Sequence, residues 1–223
     1  MAQSFRKEAF LMDFLSVAVS IPALHQIQIC RLIIPYFYYM AFQFKFTLAN
    51  TNLLVWRQIL VPSNYTFYQF HMAIQGAFEW ENAHLFQFSS RGLDDEDAIG
   101  FPDTEDERTV RNAEKTKLST IFKKRCQEYA YIYDFGDDWH PSILLEKLVQ
   151  DELIRPFCLD GVCACPPEDC GGIPGYQQIL EILSTPGHLE QKSYREWIGL
   201  EENETWDTGH CSKRQVNKRL ALL

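Results

Sequence analysis

The block Tyr133–Trp139 gathers three carboxylates around a glycine, a combination that could do chemistry. The acidic residues are Asp134, Asp137 and Asp138. At this spacing they could bind a hard cation or act as general acids and bases. The alternative is a plain turn between two strands. In that case Gly136 takes the positive φ angle and the aspartates accept hydrogen bonds from nearby amides.

A second block holds four of the seven cysteines within one short segment: Cys158, Cys163, Cys165 and Cys170. Thiolates at such separations can close around a tetrahedral zinc ion, and the glycines and prolines between them let the chain curl. We therefore predict a zinc site here, although the spacing is not the two-residue spacing of common zinc sites. Two alternatives stay open, namely inert buried thiols in a rigid loop, and redox or disulfide chemistry.

Two histidines are placed where they could join these blocks. His71 lies one helical turn from Gln75, and His84 closely follows Trp80. Either imidazole could share a pocket with the aspartates, but a lone histidine on a helix is more often a structural, hydrogen-bonded group. We keep both residues as candidates.

The acidic pair Glu168 and Asp169 stands directly before Cys170. These carboxylates either cap local amides or face the aspartate block, where close carboxylates would raise one pKa as acid–base sites require. We expect the aspartate block and the cysteine segment to meet and form a shared recess. The candidate catalytic residues are then His71, His84, Asp134, Asp137, Asp138 and Glu168.

The elements that must position these residues follow from periodicity. Residues 42–48 alternate apolar and polar side chains, and residues 55–61 form a second apolar run, which together predict a hairpin. Thr66 is placed to cap a helix with apolar residues at 67, 70, 74 and 78. Further strands are predicted at 84–88, 128–135 and 143–148, and helices at 118–122, 176–183, 190–197 and 213–222. This order predicts an α+β fold with a largely antiparallel sheet, an N-terminal hairpin-helix unit and C-terminal helices.

Charge argues against a nucleic-acid surface. The 223 residues carry a formal net charge of −9, and eight acidic residues lie between Asp94 and Glu107 with no Lys or Arg among them. That stretch predicts an exposed loop. The rest of the chain is close to neutral and shows no basic stripe of the kind that binds phosphates.

Residues 1–39 are apolar and differ from the rest of the chain. The run Phe14–Leu24 could be the core of a signal peptide, but Glu8 and Asp13 lie in its flank. No run here reaches the ~20 apolar residues that span a bilayer. We favour an extension with translation starting at Met40, which predicts a single domain over residues 40–223.

Several segments resemble the plasmid pRiA4b ORF-3-like family. The similarity covers about residues 42–222, and its most specific parts are the aspartate block and the segment Ala164–Gly172. It also includes Val55–Arg57 with Val61–Pro62, the helix with His71 and Gln75, Trp80–Asn82, His84–Leu85, Asp106–Arg108, Leu144–Lys147, Cys158 and Gly175–Tyr176. The resemblance implies a link to plasmids and insertion elements, and the family has no established biochemical activity.

The chain departs from the family pattern at two histidines. Family members often carry a histidine two residues after the tryptophan of the aspartate block, where this chain has Pro141 and places His140 one position earlier. A second family histidine is frequent where this chain has Phe86. If Cys163 is the variable thiol of the family, His84 or His71 would complete a zinc site with the other three cysteines.

These observations favour a cytoplasmic binding or interaction module with a protein or small-molecule partner and no membrane span. Two alternatives are a small metal-dependent hydrolase that uses the aspartate block with His71 or His84, and a nucleic-acid-binding accessory protein. No residue pattern identifies a reaction, so enzymatic activity, like the oligomeric state, is left open by the sequence.

Overall fold

The computed structural model describes residues 40–48, 50–90, 97–102, 110–151, 153–201 and 204–223. These residues belong to one compact unit, Met40–Leu223. The predictions for residues 1–39 lie outside the described residues, as do those for residues 94–96 and 103–107 of the acidic stretch.

The predicted hairpin forms two adjacent strands of the sheet. Strand β1 spans Met40–Leu48 and pairs antiparallel with β2, Val55–Pro62. Along β2, alternate residues from Val55 onward are buried, because successive side chains of a strand point to opposite faces. The strand continues one residue past its predicted end, since Pro62 still pairs with Ala41.

The predicted helix α1, Phe67–Phe78, follows the hairpin and covers one face of the sheet. Thr66 caps it as expected: its side chain accepts a hydrogen bond from the backbone of Gln69, whose side chain returns a bond to the backbone of Thr66. The apolar stripe is fully buried, and the ring of Phe70 lies 4.6 Å from that of Phe44 on β1. This helix therefore closes the aromatic core.

Six further strands complete an eight-stranded sheet in the described part of the chain. Those predicted are β3, β6 and β7, and those missed are β4, β5 and β8. Their bounds are β3 Phe86–Ser89, β4 Ile99–Gly100, β5 Arg111–Asn112, β6 Gln127–Tyr133, β7 Pro141–Gln150 and β8 Phe157–Val162. The order is β5-β4-β3-β6-β7-β1-β2-β8, and every pairing is antiparallel except that of β4 with β5. Within the described residues 97–102 of the acidic stretch, Ile99 on β4 is fully buried, so the prediction of an exposed loop is wrong for this part.

Four further helices lie near the predicted places, although the one predicted to start at residue 176 begins four residues earlier. They are α2 Leu118–Ile121, α3 Gly172–Ser184, α4 Gln191–Trp197 and α5 Lys213–Leu220. Helix α5 packs on α1 and β8, where the Asn217 side chain exchanges two hydrogen bonds with the backbone of Cys158. The predicted α+β class is confirmed. None of the helices that the structure describes has the length and apolar character needed to cross a bilayer.

Candidate functional site

The loop between α1 and β3, residues 79–85, positions His84. It leaves the helix through a left-handed residue, Glu79 at φ 64°, and makes a second left-handed turn at Asn82, φ 56°. Trp80 anchors the loop, because its buried indole Nε1 donates a 3.1 Å hydrogen bond to the carbonyl of Pro166 in the cysteine segment. The Ala83 amide donates to the hydroxyl of Tyr133 at 3.0 Å. Two separate segments therefore hold the loop.

The aspartate block forms a turn at the end of β6. Tyr133 and Trp139 exchange backbone hydrogen bonds across the turn. The positive φ angles fall on Asp134, at 55°, and Asp138, at 57°, and not on Gly136 as predicted. Aspartate tolerates the left-handed region, and Oδ1 of Asp134 accepts a 3.0 Å hydrogen bond from the Gly136 amide, which stabilises this conformation. Oδ2 of Asp134 is left to face His84.

The cysteine segment packs directly on this turn, as the sequence predicted. The Gly171 amide donates a 3.0 Å hydrogen bond to Oδ2 of Asp137. Gly172 has φ 65°, and a β-carbon there would stand 2.4 Å from the carbonyl oxygen of Asp137, so only glycine allows the approach. Gly172 is therefore explained by a close backbone contact between the two blocks, and Gly171 by its own left-handed backbone at φ 86°. Just before it, Asp169 is left-handed at φ 56° and reaches back over the turn.

Three side chains converge where the blocks meet. Nε2 of His84 lies 2.9 Å from Oδ1 of Asp169 and 3.6 Å from Oδ2 of Asp134. The three ligand atoms all lie within 4.8 Å of one another. Among the described residues, this is the cluster of at least three His, Cys, Asp or Glu side chains that is tight enough to hold a metal ion. The Asp134 side chain is only 12% exposed, whereas that of Asp169 is 68% exposed. The group thus has a buried floor and an open side.

The predicted carboxylates Glu168 and Asp138 have partners other than His84. Glu168 accepts hydrogen bonds from the Tyr133 hydroxyl and the Glu81 amide, so it braces the loop while its neighbour Asp169 reaches His84. Burial and the Glu168 carboxylate together raise the pKa of Tyr133. Asp138 pairs with His140 at 2.6 Å on the outer side of the turn. Sequence reasoning named Glu168 as the candidate and not Asp169, because the left-handed backbone that turns Asp169 toward His84 could not be predicted from the sequence.

His71 lies behind the site rather than in it. It is fully buried, with Nε2 2.6 Å from Oδ1 of Asn82 and Nδ1 2.7 Å from the hydroxyl of Tyr131. Burial lowers the pKa of His71 to about 4, against the opposing effect of the Asn82 bond. A neutral ring then donates from Nε2 to Asn82 and accepts at Nδ1 from Tyr131. Gln75 completes the network through the Tyr131 hydroxyl and the Asn82 amide.

The four cysteines of the predicted zinc site are spread along β8 and the segment that follows. Cys158 and Cys163 are buried, while Cys165 and Cys170 are partly buried. Burial raises the pKa of Cys158 to about 11 and those of Cys165 and Cys170 to about 12. In the described part of the chain, no three of these thiols lie close enough together to bind one metal ion. Zinc binding at the cysteines stays a prediction.

Sequence reasoning missed Arg57, a fully buried cation beside these thiols. Its guanidinium donates to the carbonyls of Ala77, Trp56 and Val162 at 2.9–3.1 Å, and to Sγ of Cys165 at 2.9 Å. Among the described residues no carboxylate forms an ion pair with it. Its place on the inward face of β2 was readable from the strand alternation, but its partners come from elsewhere in the chain.

Comparisons with known proteins agree with this architecture. The family model described as plasmid pRiA4b ORF-3-like protein matches residues 40–215. The uncharacterised protein y4hQ of Sinorhizobium fredii (strain NBRC 101917 / NGR234) is 31% identical over 176 residues, covering 78% of this chain and 87% of that protein. A crystal structure of a protein of unknown function, MM3350 from Methanosarcina mazei Go1, is similar with a TM-score of 0.66 and 32% identity over 78% of this chain and 96% of that one. The resemblance seen in the sequence is therefore confirmed, and the chain belongs to the plasmid pRiA4b ORF-3-like family.

Proposed function

We propose that the protein is a binding module that holds a divalent transition-metal ion where the aspartate turn and the cysteine segment meet. The observation that carries the proposal is the convergence of His84, Asp134 and Asp169 from three separate parts of the chain. This arrangement adds little to the stability of the core, because the group lies at the surface with Asp169 largely exposed. It does present an ordered set of donor atoms to a ligand.

The donor set suits a borderline metal ion. One imidazole nitrogen and two carboxylate oxygens are typical ligands of zinc, manganese and iron, at about 2.0–2.2 Å for zinc. The ligand atoms already lie within 4.8 Å of one another, so small side-chain movements would close them on one ion. Asp134 is oriented by the Gly136 amide on its other oxygen, which is the outer support that metal-ligating carboxylates usually have.

The hydrogen bonds that hold the loop of His84 favour a metal-binding site over a simple ion pair at the surface. Tyr133 and Glu168 hold the loop that carries His84, and Trp80 ties the same loop to Pro166. A preorganised site loses less conformational entropy when its ligand binds. The competing account is a protonated His84 that simply pairs with both carboxylates, and that account predicts no affinity for metal ions.

Calorimetric titration of chelator-treated protein with Mn²⁺ and Zn²⁺ tests the proposal. Mn²⁺ is the sharper probe, because thiolates favour softer ions and the cysteines therefore compete little for it. We expect one ion per chain, and at least about tenfold weaker binding in His84→Ala, Asp134→Asn and Asp169→Asn. The matched control is the neighbouring pair, His140→Ala and Asp138→Asn, which should bind normally. Unchanged affinity in all three site variants would defeat the proposal.

A second candidate function is metal-dependent hydrolysis at the same site. Three protein ligands leave coordination positions open, where a metal-bound water could attack a substrate. Metal-loaded protein should then hydrolyse nitrophenyl esters or phosphates, and His84→Ala should not. Metal binding without any turnover of these substrates leaves the binding module as the function. Nucleic-acid binding is not supported, because the site concentrates carboxylates that repel phosphates.

A further inference from the structure

A half-open recess adjoins the metal site through Asp169. It lies between α3 and α4 and has a volume of about 350 Å³. Its walls are formed by six residues: Asp169, Cys170, Ile179, Ser193, Tyr194 and Trp197. No Lys, Arg or His is among them, so the recess carries the negative charge of Asp169 alone.

Two aromatic rings form a corner in this recess. The rings of Tyr194 and Trp197 stand at 78° to each other with centroids 6.3 Å apart. Trp197 is 49% exposed, whereas Trp80 and Trp139 are at most 2% exposed and serve the core. A half-exposed tryptophan in a recess, next to a perpendicular tyrosine, brings aromatic surface from two rings to a ligand.

The chemistry of the recess favours a cation with an apolar surface. Ring faces carry negative partial charge and attract cations, with tryptophan the strongest of the aromatic side chains. The carboxylate of Asp169 adds a full negative charge, and its side chain is 68% exposed. The buried Ile179 at the floor suits methyl groups better than strongly hydrated N–H donors.

We propose that this recess binds a small alkylammonium ion, with a methylated ammonium group between Tyr194 and Trp197 and its charge facing Asp169. This is a binding site in addition to the metal site, and it shares only Asp169 with it. The two sites can therefore be tested separately, because ammonium binding needs neither His84 nor a metal ion.

The test compares choline with 3,3-dimethylbutan-1-ol, a neutral molecule of the same shape. Chelator-treated full-length protein is titrated with each, and the indole N–H resonance of Trp197 is followed by NMR. We expect choline to shift this resonance saturably and to bind about tenfold more tightly than the alcohol, since the charge supplies the difference. Equal affinity, or no saturable shift with choline, would overturn the proposal.

Two substitutions at Trp197 distinguish the contribution of the aromatic ring from that of an apolar side chain. Trp197→Leu keeps an apolar side chain but removes the ring face, and it should abolish the preference for choline, read from the Ile179 methyl resonances. Trp197→Phe and Tyr194→Phe keep an aromatic ring and should retain most of the preference for choline. Because Trp197 is half-exposed, we expect each variant to fold, which its NMR spectrum shows directly. A preference for choline that survives Trp197→Leu would contradict the proposed site.

Discussion

Nε2 of His84 lies 2.9 Å from Oδ1 of Asp169, although 85 positions separate the two residues in the chain. This contact joins the loop after α1 to the segment before α3. Asp134 adds a third segment, the end of β6, at 3.6 Å from the same nitrogen. The site therefore depends on how three loops pack together.

Gly172→Ala should separate the cysteine segment from the aspartate turn. The substitution strains a backbone at φ 65° and brings a β-carbon to 2.4 Å from the carbonyl of Asp137. Gly187→Ala is the matched control, with φ 77° and no atom within 4 Å of its β-carbon. We expect the control to lose about 1 kcal/mol from strain alone and Gly172→Ala clearly more, in urea denaturation. Equal losses would show that the contact is unimportant.

Tyr133→Phe should weaken metal binding without unfolding the protein. It removes the hydroxyl that accepts from the Ala83 amide and donates to Glu168, so the loop carrying His84 loses a support. Outer supports of metal ligands are typically worth about ten- to a hundredfold in affinity. The measurement is Mn²⁺ titration, with Tyr68→Phe on α1 as the control. Normal affinity in Tyr133→Phe would mean that the loop is held by other contacts.

Arg57→Met should be strongly destabilising. The substitution leaves the carbonyls of Ala77 and Val162 without their buried donor, and each such loss costs about 1–3 kcal/mol. We expect the free energy of unfolding to fall by about 3 kcal/mol or more. Arg125→Met is the control, because the exposed Arg125 donates to one carbonyl at the surface and should change stability by about 0.5 kcal/mol at most. Similar effects for both would refute a special role of the buried cation.

The pH dependence of stability should report His71. Burial holds its folded pKa at about 4, below its ordinary value of about 6.5, so the unfolded chain takes up the proton first. Its contribution is therefore fully present above about pH 6.5 and is lost as pH falls toward 4, by up to about 3 kcal/mol. The free energy of unfolding, measured by denaturation at several pH values across this range, should depend less on pH in His71→Gln than in the control His210→Gln, which replaces an exposed histidine. Parallel curves would exclude the effect.

Much of the fold could be predicted because local sequence patterns determine the first hairpin and the helix that follows it. The alternation in β1 and β2 and the cap at Thr66 each act within a few residues, and the structure confirms them. Strands β4 and β5 have two residues each, too short for any periodicity, so their pairing is decided by neighbouring strands. Strand β8 pairs with β2, but exposed and partly exposed residues occupy most of it, so it has no apolar run that predicts a strand.

The site was predicted only in outline. The meeting of the two blocks was a hypothesis from their proximity in the sequence, and His84 and Asp134 were both candidates. Asp169 rather than Glu168 faces His84 because the backbone turns left-handed at Asp169, which no local rule required. His71 was set apart from the site by the partners Asn82 and Tyr131, which occupy both of its ring nitrogens.

Anomalous diffraction from crystals soaked in Zn²⁺, collected on both sides of the zinc absorption edge, tests the central claim most directly. The account predicts a peak about 2.0–2.2 Å from Nε2 of His84 and from one oxygen each of Asp134 and Asp169. A peak among Cys158, Cys163, Cys165 and Cys170 alone, or no peak near His84, would contradict it.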